Sequence, residues 1–535
     1  MRQRAKHEFY QFAGITAYLY ISFLALTLYK ELAEAEYLAG HFAEAEQIYP
    51  EGIAATVAAL ASELGPHDRV LVAFDDDPTG TQSVRDLPVL TSWEDADLDW
   101  ALAQDAPAIY VVTNTRSLAP ALAAARVREV AERTLAAARR AGKRVTLVAR
   151  GDSTLRGHHP LETDTIAAIL AEAGEGPVDL TVLIPAFPAA GRVTVGGVHY
   201  CISGDEAVAV GDSEFAKDAT FGFSSSALPA WVEEKTQGRV TADEVVTVPV
   251  ATLRTASPDE IDRLFAELPE GAVVTPGVAS EQDLKAVARA VRAAERAGRR
   301  LVLRVGPPFA RAYIGQEPAE PLTAAELPAP DDVPAGRGGL VVVGSHVPTT
   351  QRQLAALRDR HPGLPVFEVD VSEVTAGASR RRTHLDGIVA ALTEALTHSD
   401  AILQTSRALI RGTDADDSLR IARDVSAAMS EVVNRVVTAL RPRFVLAKGG
   451  ITSSDTARYG LEIRRGQVLG SLFPGLVSVW LPTGGPADGV PYIVFAGNVG
   501  TDRSLADAVD RFHATRSPGT DSGAGEPAPT QQRSL

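Results

Sequence analysis

Three consecutive carboxylates, Asp75-Asp76-Asp77, followed by Pro78-Thr79-Gly80-Thr81-Gln82, are the residues of this sequence best suited to acid–base or phosphoryl chemistry. Adjacent like charges repel unless a cation or a basic ligand offsets them. The alternative is a solvated acidic turn. A second cluster, Arg150-Gly151-Asp152-Ser153-Thr154-Leu155-Arg156-Gly157-His158-His159, sets two arginines around an acid and two hydroxyls. Guanidinium forks clamp carboxylates bidentately, and the Asp, Ser and Thr can partner sugar hydroxyls. The same arginines could pair structurally with Asp75–Asp77, and both readings can hold together. His158 and His159 do not read as a metal pair, because neighbouring histidines in an extended loop point apart. A third cluster, Pro185-Ala186-Phe187-Pro188 through Gly191-Arg192, offers Arg192 as a ligand contact, although a single arginine is more often a surface residue.

Turns suited to phosphate lie further along. Gly344-Ser345 precedes a helix start, where free amides suit an anion and a simple cap accounts for the same residues. In Lys448-Gly449-Gly450-Ile451-Thr452-Ser453-Ser454 the paired glycines admit a nucleotide close to the backbone, and the hydroxyls can bond its phosphates. Gly497-Asn498-Val499-Gly500 is a third such turn. Neither G-x-x-x-x-G-K-[ST] nor G-x-G-x-x-G is present.

Each cluster follows an apolar run of strand length. Val70–Phe74, Ala108–Thr113, Arg144–Ala149, Leu180–Ile184, Val245–Val250, Ala272–Thr275 and Arg300–Leu303 read as strands, with helices such as Ala121–Ala141 and Glu281–Ala297 between them. A second series follows: Gly339–Val343, Val366–Val369, Ala401–Leu403, Phe444–Ala447, Val477–Trp480 and Tyr492–Phe495. This alternation predicts two α/β domains with largely parallel sheets flanked by helices, and ligands at the carboxyl ends of the strands. The expected units are an N-terminal extension over 1–67, a substrate domain over 68–315, a Pro-rich linker over 316–338, a nucleotide domain over 339–512 and a disordered tail over 513–535. The polar segment Gly204–Gln237 reads as an insertion over a site.

The formal net charge of −16 over 535 residues, with no basic stripe, argues against nucleic-acid binding. One cysteine, Cys201, excludes an intramolecular disulfide and fits a reducing, cytoplasmic setting. Arg2, Arg4 and Lys6 precede Phe9–Tyr29, an uncharged stretch long enough to span a bilayer. Its Gln11, Thr16, Ser22 and Thr27 and the lack of an Ala-x-Ala site favour an extension carrying an apolar helix, with membrane contact as the alternative.

Taken together, Asp76-Asp77-Pro78-Thr79-Gly80, Asp152-Ser153-Thr154-Leu155-Arg156-Gly157, Pro185-Ala186-Phe187-Pro188 with Gly191-Arg192, Gly344-Ser345, Lys448-Gly449-Gly450-Ile451-Thr452 and Gly497-Asn498-Val499-Gly500 resemble the motifs of the four-carbon acid sugar kinase family, in its order, over roughly residues 68–512. The resemblance implies a sugar-acid domain and a nucleotide domain closing over a cleft. It also implies transfer of the ATP γ-phosphoryl group to the terminal hydroxyl of threonate, erythronate or a 3-oxo relative. By motif, Ser345, Gly449, Gly450, Ile451, Thr452 and Gly497 would contact ATP. Arg150 and Arg156, with Arg192, would clamp the acid, and Thr79, Gly80, Asp152, Ser153 and Gly157 would line its site. Asp76 or Asp77 would deprotonate the attacking hydroxyl while the other reaches Mg²⁺ through water; the metal ligands themselves stay unknown. Ile451 stands where many members have Glu, and Asp75 and Gln82 suggest a distinct subgroup.

Two rival classes fit the same residues. Asp75-Asp76-Asp77-Pro78-Thr79 also fits the Asp-x-Asp-x-Thr of a haloacid-dehalogenase-type phosphatase, with Asp75 as nucleophile and Asp77 as acid/base. A non-catalytic sugar-acid sensor would carry the same motifs. Assembly into a homo-oligomer is left open.

Overall fold

The computed structural model describes residues 69–204, 206–330, 332–334, 336–406 and 415–514. The expected N-terminal extension with its apolar helix, and the tail beyond residue 514, lie outside the described residues. Among the described residues no helix is long and apolar enough to cross a membrane.

Val70–Asp75 is buried at every position, as a strand covered on both faces by helices must be. It lies in an eight-stranded parallel block whose order is Leu87–Leu90, Ala108–Val112, Val70–Asp75, Val145–Arg150, Leu301–Val305, Leu180–Ile184, Ala272–Pro276 and Val245–Val248. Helices cover it, and their ends follow local rules. Pro120–Ala141 has proline in its first turn and stops at Gly142, at φ +62°. Glu281–Arg296 starts on a Ser280–Asp283 capping box.

The second block runs Val366–Val369, Ala401–Thr405, Leu340–Val343, Val445–Lys448 and Tyr492–Phe495, again parallel. The expected two-unit α/β architecture is present, with one addition. The hairpin Arg465–Phe473 and Leu476–Pro482 pairs antiparallel to Tyr492–Phe495 on one side and to Leu87–Leu90 on the other. All fifteen strands therefore form one continuous sheet. A single apolar cluster runs through it, from Leu71 and Val182 by way of Leu87, Val468 and Trp480 to Leu340 and Val445.

Three antiparallel steps separate the two parallel blocks, so their strands run in opposite senses. In a flat sheet their carboxyl edges would diverge. The two carboxyl edges nevertheless meet, since a Cβ on Gly450 would lie 3.3 Å from Asp77 Oδ2. The proline-rich segment begins on the first block, where Gln316 bonds Arg85 and Glu317 pairs with Lys285, and continues onto the apolar core of the second. Leu322 and Leu327 are buried in that core, and the Leu322 amide donates to Ser471 O at 2.8 Å. Burying each leucine contributes about 1.5–3 kcal/mol, enough to dock a proline-rich segment.

The segment over 204–237 adds the end of a small antiparallel sheet, Arg192–Val195, Val198–Ser203 and Glu206–Ala209, followed by short turns and the helix Leu228–Thr236.

Candidate active site

The acidic run leaves the end of Val70–Asp75, and its three carboxylates have three different surroundings. Asp75 is fully buried, and its Oδ1 accepts from Arg150 Nη1 at 2.6 Å. Burial raises its carboxyl to about 7 against the pull of Arg150, with Asp76 and Asp77 adding to the rise. Gly80 seals this pair: a Cβ there would sit 2.2 Å from Asp75 Oδ2 and 2.4 Å from Arg150 Cζ.

Asp76 is 1% exposed and is gripped by Arg116, Nε to Oδ2 at 3.0 Å and Nη2 to Oδ1 at 2.5 Å, with Arg150 Nη1 a further 3.3 Å from Oδ1. Asp77 is 20% exposed and caps the turn Pro78–Ser83, its Oδ1 accepting from the Thr79 amide at 2.9 Å and hydroxyl at 2.5 Å. Its Oδ2 stands 3.6 Å from Arg116 Nη1. Burial works to raise this carboxyl, but Arg116, the Thr79 hydrogen bonds and Arg150 together hold it below the ordinary carboxylate range.

The three like charges are thus answered by two arginines. Arg150 takes the structural pairing weighed against ligand binding: it is 3% exposed and committed to Asp75 and Asp76, though it still touches the cleft floor. Both oxygens of Asp76, expected as a base or metal partner, are held by arginines, whereas Asp77 keeps Oδ2 toward the cleft. Asp75 lies under Gly80 and on Arg150, which leaves the phosphatase nucleophile without access. Arg116 was missed. It follows the strand Ala108–Val112, and its relevance depends on that strand lying beside Val70–Asp75.

The arginine loop after Val145–Arg150 faces the same cleft. Arg156 is 25% exposed; its Nε donates to Asp152 Oδ2 at 2.7 Å, and its guanidinium lies 5.0 Å from the Phe215 ring. Arg192 lies 5.9 Å from the same ring, so the segment over 204–237 does reach the site. His199 holds the loop from behind. Burial lowers it to about 4, and it bonds Ser153 O at 2.8 Å and Thr194 Oγ1 at 2.9 Å as a neutral ring. Arg304, another residue the sequence did not single out, is buried under the loop and donates to Arg156 O at 2.9 Å. Gly157, at φ +118°, would place a Cβ 3.0 Å from Asp76 Oδ2. Gly80 and Gly157, expected as substrate contacts, pack closely against the acidic turn and its arginines, beside rather than in the cleft lining.

The glycine turns of the second block gather at one edge, since Leu340–Val343, Val445–Lys448 and Tyr492–Phe495 are adjacent. Cβ atoms built on Gly344 and Gly449 would meet Thr452 Oγ1 at 2.4 and 3.0 Å, and one on Gly497 would meet Ser345 Oγ at 2.7 Å. Thr350 Oγ1 donates to Gly497 O at 2.9 Å. Lys448 is fully buried; its Nζ donates to Ala496 O at 2.6 Å and lies 3.8 Å from the centroid of the Phe495 ring. Burial lowers its amine to about 7. Ser345, Gly449, Thr452 and Gly497 are brought together as expected, while Ile451 is 64% exposed to solvent.

The two halves meet at Gly450, where a Cβ would lie 3.3 Å from Asp77 Oδ2. Between them is a cleft of about 320 Å³ lined by Asp77, Thr79, Asp152, Ser153, Arg156, Arg192 and Phe215 on one side and by Gly450, Gly497, Asn498 and Val499 on the other. The acidic turn is also tied to the central hairpin. Trp480 Nε1 donates to Thr81 Oγ1 at 2.8 Å, and Thr81 Oγ1 donates to Ser478 Oγ at 2.9 Å.

Residues 71–313 match the family model described as a sugar-binding N-terminal domain, and residues 340–505 match the one described as a nucleotide-binding C-terminal domain. The D-erythronate kinase of Heliobacterium modesticaldum is 29% identical over 256 residues, covering 47% of this chain and 51% of that protein. The D-threonate kinase of Bordetella bronchiseptica is 27% identical over 456 residues, covering 82% and 97%. The match thus spans about half the length of the first relative and nearly all of the second. Among solved structures, Haemophilus influenzae protein HI1011 shares the fold at a TM-score of 0.57 and 16% identity, over 83% of this chain and 99% of that one.

Proposed function

The chain belongs to the four-carbon acid sugar kinase family, and on that basis we propose that it transfers the γ-phosphoryl group of ATP to the terminal hydroxyl of a threonate- or erythronate-type acid. The observation that carries this reading is the approach of Asp77 Oδ2 to Gly450 across a cleft that also holds Arg156. Phosphoryl transfer needs positioning and charge neutralisation more than covalent help from the protein. Arg156, braced by Asp152, offers its guanidinium to the acid carboxylate, and Arg192 lies beside it. Asp77 Oδ2 accepts the hydroxyl proton as the new oxygen–phosphorus bond forms and the bond from Pγ to the bridging oxygen breaks, ADP leaving with those electrons. The amides of the Gly449-Gly450 and Gly497 turns and the Ser345 and Thr452 hydroxyls cradle the phosphates.

Asp77 and Asp152 are the carboxylates lining the cleft, and so small an acidic set suits a magnesium ion that would keep most of its water. When bound, Mg²⁺ would supply charge neutralisation across the nucleotide phosphates.

The reading is tested by a coupled ATP-consumption assay over a panel of four-carbon sugar acids, with and without Mg²⁺. Turnover that needs both acid and ATP supports it; release of phosphate from sugar phosphates without ATP, or acid binding without turnover, would sink it. Two variants test the division of labour. Arg156→Ala is expected to raise KM for the acid by roughly 10–100-fold, the loss of one charge-assisted pair of about 1.5–3 kcal/mol, with KM for ATP unchanged. Gly449→Ala must place a side chain at φ +126° against Ser345 and Thr452, and is expected to raise KM for ATP at least about tenfold with acid binding intact. Reversal of the two patterns would overturn the assignment of the halves.

A further inference from the structure

Away from the cleft, one cluster brings together three side chains that bind transition metals. The helix Pro348–Arg360 ends at His361, and beside it the helix Ser504–Ala514 carries Asp510 and His513, three residues apart on one face. Ligand atoms of His361, Asp510 and His513 lie within 4.8 Å of one another. The two imidazole centroids are 5.4 Å apart, at an interplanar angle of 77°. Two imidazoles on one tetrahedral zinc, at Zn–N distances of about 2.0–2.1 Å, have their centroids roughly 5 Å apart.

The surroundings match as well. Asp400, with a side chain 2% exposed, is bonded to His513 Nε2 and also accepts from the Gly339 amide at 2.8 Å. A carboxylate behind an imidazole is the usual device for orienting a metal-bound histidine. Arg360 Nη1 holds Asp510 Oδ2 at 2.8 Å, which leaves Oδ1 turned to His361 Nε2 at 2.7 Å.

We propose that His361, Asp510 and His513 form a structural site for a divalent transition metal of the zinc class, with Asp400 orienting His513. Two imidazoles and one carboxylate select such an ion over Mg²⁺ or Ca²⁺. The metal takes the place of the proton now shared by His361 and Asp510, and it staples the C-terminal helix to the helix that follows Ser345. Thirteen residues of helix put the site about 20 Å from the phosphate turns, so it acts on stability and leaves turnover unchanged.

The test is titration of the full chain, stripped with a chelator, with Co²⁺ and then Zn²⁺. The wild type is expected to bind one equivalent of Co²⁺ with the intense visible bands of low coordination, to lose those bands to Zn²⁺, and to gain several degrees in Tm. His361→Gln and His513→Gln are expected to fold, with a metal-free Tm close to that of the stripped wild type, and to lose both the bands and the metal-dependent rise. Asp400→Asn is expected to weaken Zn²⁺ binding by about 10–100-fold. Equal metal binding by the wild type and His361→Gln, or a Tm indifferent to micromolar Zn²⁺, would overturn the site and reduce the cluster to a hydrogen-bond network.

Discussion

Asp77→Asn is expected to lower kcat by about a thousandfold, within the range of 10²–10⁴ that a positioned base contributes. KM values should move little, because asparagine keeps the oxygen that accepts from Thr79 and so keeps the turn. Tm should stay within a few degrees of the wild type for the same reason. The pH profile carries the same signature. Arg116 and Thr79 hold the Asp77 carboxyl below its ordinary value, so the acidic limb of wild-type activity lies below the usual carboxylate range, and the base stays ionised throughout the neutral range. A variant that kept most of its kcat would remove Asp77 from the reacting centre.

The second large effect belongs to Arg116→Met. Asp76, 1% exposed, would lose its bidentate partner and keep only Arg150 at 3.3 Å. Breaking a buried ion pair from one side costs about 3–5 kcal/mol, and the residual contact puts this case near 3 kcal/mol. Tm should fall by several degrees in calorimetry. Loss of the guanidinium also raises the Asp77 carboxyl, so the acidic limb of the activity profile moves to higher pH. Arg116→Lys restores a charge without the fork and should recover only part of the stability. The double variant Arg116→Met with Asp76→Leu removes both charges; it should recover much of the stability while its pH profile stays displaced. An unchanged Tm for Arg116→Met would mean that the pair carries no stability.

The parallel blocks were readable because strands buried on both faces are continuous apolar runs bounded by turns, as in Val70–Phe74 and Leu340–Val343. The junction between them was not. Leu87–Leu90 contains Pro88, and Arg465–Phe473 contains Gly466 and Gly470, residues that argue against a strand when read locally. Their pairing is long-range, and no local pattern announces it. The glycine turns of the site were readable for the same reason as the strands, since each sits directly after one. The separate roles of Asp75, Asp76 and Asp77 were not, because they depend on which neighbouring strand brings which arginine. Arg116 comes from the strand on one side of Val70–Asp75 and Arg150 from the strand on the other. Sheet order decides this, and sheet order is a tertiary property. The same holds for His361 and His513, which meet only because two helices distant in sequence pack side by side.

In the proposed function the acidic turn and the glycine turns act as one phosphoryl-transfer centre. ³¹P NMR of a reaction containing the full chain, ATP, Mg²⁺ and a threonate- or erythronate-type acid tests it most directly. The predicted spectrum shows one new phosphomonoester, coupled to the terminal methylene protons of the acid, for each ADP formed. Growth of inorganic phosphate without the ester, or an ester at an internal carbon, would contradict it.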